Sequence, residues 1–188
     1  MKRAPFLALV ILLVLGGCLL KPWKPVPDPV YSVEDRYAVI QTDSLEIYIR
    51  PQVYSGGAVS VAGDYFPVWL RVKNVSRHKI SLDSKSFSIL AGGKQFDYKP
   101  LQVLLSGIQL LYLLGKDTDP FNTSAVETQQ QALQIIRDQI NELVDDYFSF
   151  GDILPGGVKE GYLFYNDKVG TYNEFELDAL GHKVTFVR

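Results

Sequence analysis

Short runs in which apolar and polar residues alternate constrain this chain more than any other feature. Leu45, Ile47 and Ile49 alternate with Glu46, Tyr48 and Arg50, and Val68, Leu70 and Val72 alternate with Trp69, Arg71 and Lys73. Successive side chains of an extended chain point to opposite faces, so a period of two marks a strand with one buried face. Turn signals separate these runs. Asn74-Val75-Ser76-Arg77 reads as a turn before a strand at Ile80-Ser81-Leu82. Ala91-Gly92-Gly93-Lys94 stands between Phe87-Ser88-Ile89 and Gln95-Phe96-Asp97-Tyr98. It predicts a hairpin, because glycine takes the positive φ of a two-residue turn without steric cost. Leu154-Pro155-Gly156-Gly157 opens a second group, with runs at Tyr162–Tyr165, Glu174–Leu177 and Lys183–Phe186. About seven to nine such strands predict a mainly β fold, an antiparallel β-sandwich, with a barrel left open.

Between the two groups the period lengthens. Leu101, Leu104, Leu105, Ile108, Leu111 and Tyr112 recur at helical spacing, and Gly115 supplies a stop. Ser124 with Glu127 three positions on fits a capping box, and Leu133, Ile136, Ile140, Leu143 and Tyr147 then form an amphipathic stripe. Residues 101–148 are therefore expected to be a two-helix insertion packed as a hairpin against the sandwich.

The N-terminus has a different character. Met1-Lys2-Arg3 is basic, Ala4 to Val14 is apolar apart from Pro5, and Leu15-Gly16-Gly17-Cys18 follows. These are the parts of an export signal, in which small residues admit the backbone to a peptidase cleft. Leu15, Gly16, Gly17 and Cys18 resemble the lipobox of bacterial lipoproteins. The resemblance implies a diacylglycerol thioether on Cys18 and cleavage in front of it, so that residues 1–17 are a signal peptide and the mature protein is held on a membrane by lipid. Two or three acyl chains, at about 0.8 kcal/mol per buried methylene, make such attachment stable. Leu19 is not the aspartate that, in that family, retains lipoproteins in the inner membrane, which favours the outer membrane if the cell has one. An uncleaved anchor is the competing reading, and it leaves the lone cysteine unexplained. From Lys21 to Pro29 four prolines fall in eight positions, so residues 18–32 read as a lipidated cysteine and an extended Pro-rich tether, with 33–188 as the folded domain. Fully extended, the tether reaches about 45 Å.

A second resemblance rests on Phe66-Pro67-Val68-Trp69-Leu70-Arg71-Val72-Lys73-Asn74-Val75-Ser76, Ile80-Ser81-Leu82-Asp83, Phe87, Leu154-Pro155-Gly156-Gly157 and Gly161-Tyr162-Leu163-Phe164. These segments resemble the immunoglobulin-like extracellular domains of bacterial lipoproteins over roughly residues 36–100 and 153–188. The implied fold is an immunoglobulin-like sandwich, and the implied role is binding or envelope structure. The helical insertion departs from that pattern, and no catalytic residue is carried over.

The remaining residues argue against familiar chemistry. The 19 basic residues face 21 acidic ones, so the sequence lacks the positive field that nucleic acid requires. Cys18 is the only cysteine, which excludes an intramolecular disulfide and leaves no thiol in the domain once Cys18 is lipidated. His78 and His182 have no metal-ligand spacing and read as turn residues. Glu34-Asp35 and Asp145-Asp146 are adjacent carboxylates with no need to converge, and Asp117-Thr118-Asp119-Pro120 lacks the glycine and glutamate of a calcium loop. No metal, cofactor or catalytic group is expected. Tyr48 and Trp69 fall opposite the aliphatic stripes of their strands. They form either a binding platform or support for the helical insertion; the second is favoured because helix Leu101–Leu114 is too apolar to stand exposed. The expectation is a non-enzymatic, lipid-anchored envelope protein that binds another envelope protein. A carrier of a small sugar, peptide or lipid is the alternative, and a cell-wall hydrolase stands behind it.

Overall fold

A computed structural model gives the fold of residues 22–58, 64–114 and 123–188. In chain order the strands are β1 (Lys24–Pro25), β2 (Ser32–Glu34), β3 (Tyr37–Gln41), β4 (Leu45–Pro51), β5 (Tyr65–Asn74), β6 (Ile80–Leu82), β7 (Phe87–Ala91) and β8 (Lys94–Asp97). Two helices follow, α1 (Leu101–Leu114) and α2 (Thr123–Asp146), then β9 (Gly151–Ile153), β10 (Val158–Asn166), β11 (Glu174–Ala179) and β12 (His182–Val187). The protein is mainly β and its named strands pair antiparallel. One five-stranded sheet has the order β1-β12-β11-β7-β8, the other β10-β5-β4-β3-β2, and β6 pairs with β9. The expected hairpin at Gly92-Gly93 joins β7 to β8, with both glycines at positive φ.

The alternation sorts the side chains as the period requires. Ile47, Ile49, Val68, Leu70 and Val72 of one sheet meet Ile89, Phe175, Leu177, Val184 and Phe186 of the other in a single core. One end of this core is closed by Phe66 and Phe175, whose rings lie 5.4 Å apart. The other end is pinned by Asn74, which is buried among main-chain groups. Its Nδ2 donates to the carbonyls of His78 and Ile153, and its Oδ1 accepts from the Ser76 amide and hydroxyl.

The Pro-rich segment departs from the expected spacer. Trp23 packs edge-on against Phe175 at 4.8 Å and Phe66 at 5.8 Å, Pro25 is buried, and the Val26 amide donates to Thr185. Proline lacks an amide donor, but at a sheet edge only one side of the strand needs one, so β1 adds to β12 despite its composition. The chain then crosses to the opposite sheet, where Tyr31 is buried and donates its hydroxyl to the Val26 carbonyl. The tether thus ends before Trp23, and residues 23–32 belong to the domain. Leu15, Gly16, Gly17 and Cys18 lie outside the described residues, as do Gly115, Asp117 and Asp119.

The insertion packs on the outer face of the sheet at β10, through a second core of Tyr54, Ala58, Leu104, Ile108, Leu143 and Phe164. Helix α2 begins at Thr123, one residue before the start expected at Ser124. Among the described residues no helix is long and apolar enough to cross a membrane.

Candidate binding surface

Because β4 and β5 bury every second residue, the intervening ones share one outer face. In register across this face stand Glu46 with Lys73, Tyr48 with Arg71, and Arg50 with Trp69, while Tyr48 also faces Val39 of β3. The neighbours Tyr37 on β3 and Glu160 on β10 complete the patch. Tyr37 is its centre. Its ring lies 5.5 Å from Trp69 and 6.3 Å from Tyr48, at interplanar angles of 72° and 80°. The Arg50 guanidinium sits 5.0 Å above the Tyr37 ring, while its Nη1 donates to the Tyr37 hydroxyl at 3.1 Å. Arg71 lies 5.9 Å from the Tyr48 ring. A cation over an aromatic face contributes about 0.5–1 kcal/mol at such partly exposed sites.

Carboxylates fix the edges of the patch. Tyr48 donates its hydroxyl to Glu46 at 2.5 Å, and this hydrogen bond, which the phenolate would lose, raises the tyrosine above its usual range. Lys73 stands 3.9 Å from Glu46, and Arg71 Nε stands 3.7 Å from Glu160. The Nε has no hydrogen-bond acceptor, although the Arg71 side chain as a whole is 44% exposed.

The structure brings the two aromatic residues singled out by sequence, Tyr48 and Trp69, into one surface and adds Tyr37 to them. Among the described residues, the side chains packed under the insertion are Tyr54, Tyr162, Phe164 and Tyr147, with Trp69 in register beside Tyr162. Tyr54 and Tyr162 pack at 5.2 Å, and Tyr54 donates to Asp146 at 3.0 Å. Burial, then that carboxylate, push the Tyr54 hydroxyl upward. Glu142 accepts the Gly57 amide at 2.6 Å, so two carboxylates of α2, Glu142 and Asp146, hold the helix to the loop after β4. Tyr37 was missed because Tyr37-Ala38-Val39-Ile40 has no alternation to reveal its outward side; the positions Ala38, Val39 and Ile40 are all buried.

The other candidates lie elsewhere. His78 is exposed in the turn after β5, where its main chain accepts from Asn74 and Ser76 and donates to the Ser76 hydroxyl. His182 begins β12 on the opposite sheet. Glu34 is exposed on β2, and Asp35 occupies the following turn at φ 57°. A shallow groove of about 490 Å³ on that opposite sheet is lined by Leu90, Gly92, Tyr172, Glu174, Glu176 and Thr185, open to solvent. Among the described residues, no group of three or more His, Cys, Asp or Glu is placed to hold a metal ion. Comparison with protein-family models, curated proteins and solved structures finds no match.

Proposed function

We propose that this chain is the precursor of a lipid-anchored cell-envelope protein whose immunoglobulin-like domain binds another envelope protein through the Tyr37–Tyr48–Trp69 face. The anchor rests on Leu15-Gly16-Gly17-Cys18 directly after a basic start and an apolar run. The outer membrane is its place if the cell has one. The binding face rests on one observation: among the described residues, the helical insertion packs on β10 and leaves the aromatic–arginine patch over β3, β4 and β5 half-exposed.

The geometry favours a protein over a sugar or another small ligand. Tyr37 meets both of its ring neighbours edge to face, so the three rings do not form a coplanar stacking platform. Arg50 occupies a face of the central ring. What the patch offers is aromatic ring edges beside arginines, residue types enriched at protein interfaces. Small ligands are instead held in concave sites. The protein acts by binding, and no step of bond making is assigned to it.

Photocrosslinkers at Gln41 and Lys73, on the rim of the patch, test this in intact cells, with Glu174 on the opposite sheet as the control. A reproducible crosslinked protein from the two rim sites is expected. Trp69→Ala should weaken that complex by about 2 kcal/mol, roughly 30-fold. The same products from Glu174, or none from the rim, would sink the proposal.

A further inference from the structure

The outer face of the sheet β1-β12-β11-β7-β8 differs in charge from the Tyr37 face. Phe175, Leu177, Val184 and Phe186 point into the core, so Glu174, Glu176 and Asp178 of β11 share the outer face with Lys183 and Thr185 of β12. Leu90 and Ser88 of β7 stand in register with Glu176 and Asp178, and Gln95 and Asp97 of β8 extend the same rows. Across these strands the outward carboxylates Asp97, Glu174, Glu176 and Asp178 face a single ammonium, that of Lys183. Lys183 is held 2.8 Å from Glu176. Asp178 accepts the Gly181 amide, and Asp97 accepts from the Gln95 side chain. Glu174 makes no ion pair among the described residues. The next ammonium, Lys24, stands on the far edge of the sheet, beyond Val187.

The groove on this face runs over β11, along its row of carboxylates. Leu90 and the Gly92-Gly93 turn flank it on one side and Thr185 on the other, and Tyr172 stands at its end. The two glycines shape it. A Cβ at Gly92 would stand 2.3 Å from the Tyr172 ring and push it away, and at Gly93 no side chain rises above the turn. Leu90 is left 45% exposed. The charged residues that line the groove are Glu174 and Glu176, with no basic side chain beside them.

This lining suits a cationic side chain with an apolar stem. Lysine and arginine lay their methylenes along apolar surface such as Leu90 while the charged head stays with carboxylates and water. Hydrogen bonds between two ionised partners are also the stronger kind. The groove is too shallow to enclose a small molecule, which needs a concave site. The strand itself sets the spacing of the charges. Glu174 and Glu176 lie on one face two residues apart, about 7 Å along the chain. An extended segment has the same period, so basic residues at its alternate positions meet these carboxylates one to one.

We infer that the groove over β11 binds an extended segment of a partner protein that carries arginine or lysine at alternate positions. The charge of the groove and its fit to that period carry the inference. It concerns the sheet opposite the Tyr37–Tyr48–Trp69 face and rests neither on that face nor on the lipid anchor.

Fluorescein-labelled peptides of arginine and serine test this by anisotropy, with the full chain in nonionic detergent at low ionic strength. One peptide has arginine at alternate positions. The other has the same composition with its arginines in adjacent pairs, which an extended chain turns to opposite faces. The alternating peptide should bind several-fold tighter. Glu174→Gln should weaken its binding about threefold, the effect of one exposed ion pair. Asp43→Asn, at an exposed turn of the other sheet, should leave it unchanged. Urea unfolding of both variants checks that the fold is kept, and the comparison of the two peptides needs no variant at all. Equal binding of the two peptides, or undiminished binding to folded Glu174→Gln, overturns the inference. Displacement of the peptide by an equal concentration of spermidine assigns the groove to small polycations and overturns it as well.

Discussion

Asn74 shows how one side chain ties distant parts of the fold together. It ends β5, is fully buried, and satisfies two carbonyls and one serine. Its main chain adds two more bonds, donating to Gly157 and accepting from Gly156. Asn74→Ala would take the side-chain donor from the Ile153 carbonyl, while the His78 carbonyl keeps the Ser76 hydroxyl, and a buried polar group left unpaired costs about 1–3 kcal/mol. A loss of about 2 kcal/mol in urea unfolding is expected, and Asn74→Asp should be no better because it aims a charge at the same carbonyls. A change below about 0.5 kcal/mol, the range of ordinary surface substitutions, would contradict this account. The turn itself was legible, since Asn-Val-Ser is local turn chemistry. Its second role was not. Ile153 is 79 positions away, and no local rule reports a bond of that span.

At the level of elements, the strands were readable wherever one face meets water and the other the core. That condition holds for β4, β5, β11 and β12, whose burial alternates residue by residue. It fails in β10, where Leu163, Phe164 and Tyr165 are all buried. Phe164 points outward into the second core, so the unbroken apolar run Tyr162–Tyr165 is the mark of a strand covered on both sides. The insertion was visible from its helical period, and this run is part of the surface that receives it. Docking there depends on Gly161. A Cβ at that position would stand 2.7 Å from both the Asp146 carbonyl and the Phe148 amide, which are backbone atoms unable to turn aside. Gly161→Ala should therefore push the end of α2 off the sheet and break the Phe148-to-Tyr162 hydrogen bond. A cost of about 3 kcal/mol is expected, at the upper end for overpacking. Amide exchange in α2 should accelerate more than in β11 or β12. Equal acceleration throughout would show that the glycine supports the whole core rather than this junction.

For the whole molecule, the Pro-rich stretch from Trp23 to Ser32 is a structural part and no mere spacer. Its β1 forms one edge of the first sheet, and its β2 forms one edge of the second, so a single strap finishes both sheets. Composition concealed this because four prolines predict an extended chain, and an extended chain is equally the geometry of an edge strand. What separates the two outcomes is whether a ring in the segment finds a place in the core. Trp23 does, between Phe66, Phe175 and Arg188. Removing a fully buried tryptophan costs about 3–5 kcal/mol, and Trp23 is only half-buried, so Trp23→Ala should cost about 2 kcal/mol. Pro29→Ala, at an exposed turn of the same segment, should stay within about 0.5 kcal/mol. Both are measured by urea unfolding of protein carrying Cys18→Ser, a substitution outside the described domain. A free spacer requires both substitutions to be silent. A docked strap requires the first to weaken the fold and the second to leave it unchanged, because only a docked Trp23 has packing against Phe66 and Phe175 to lose.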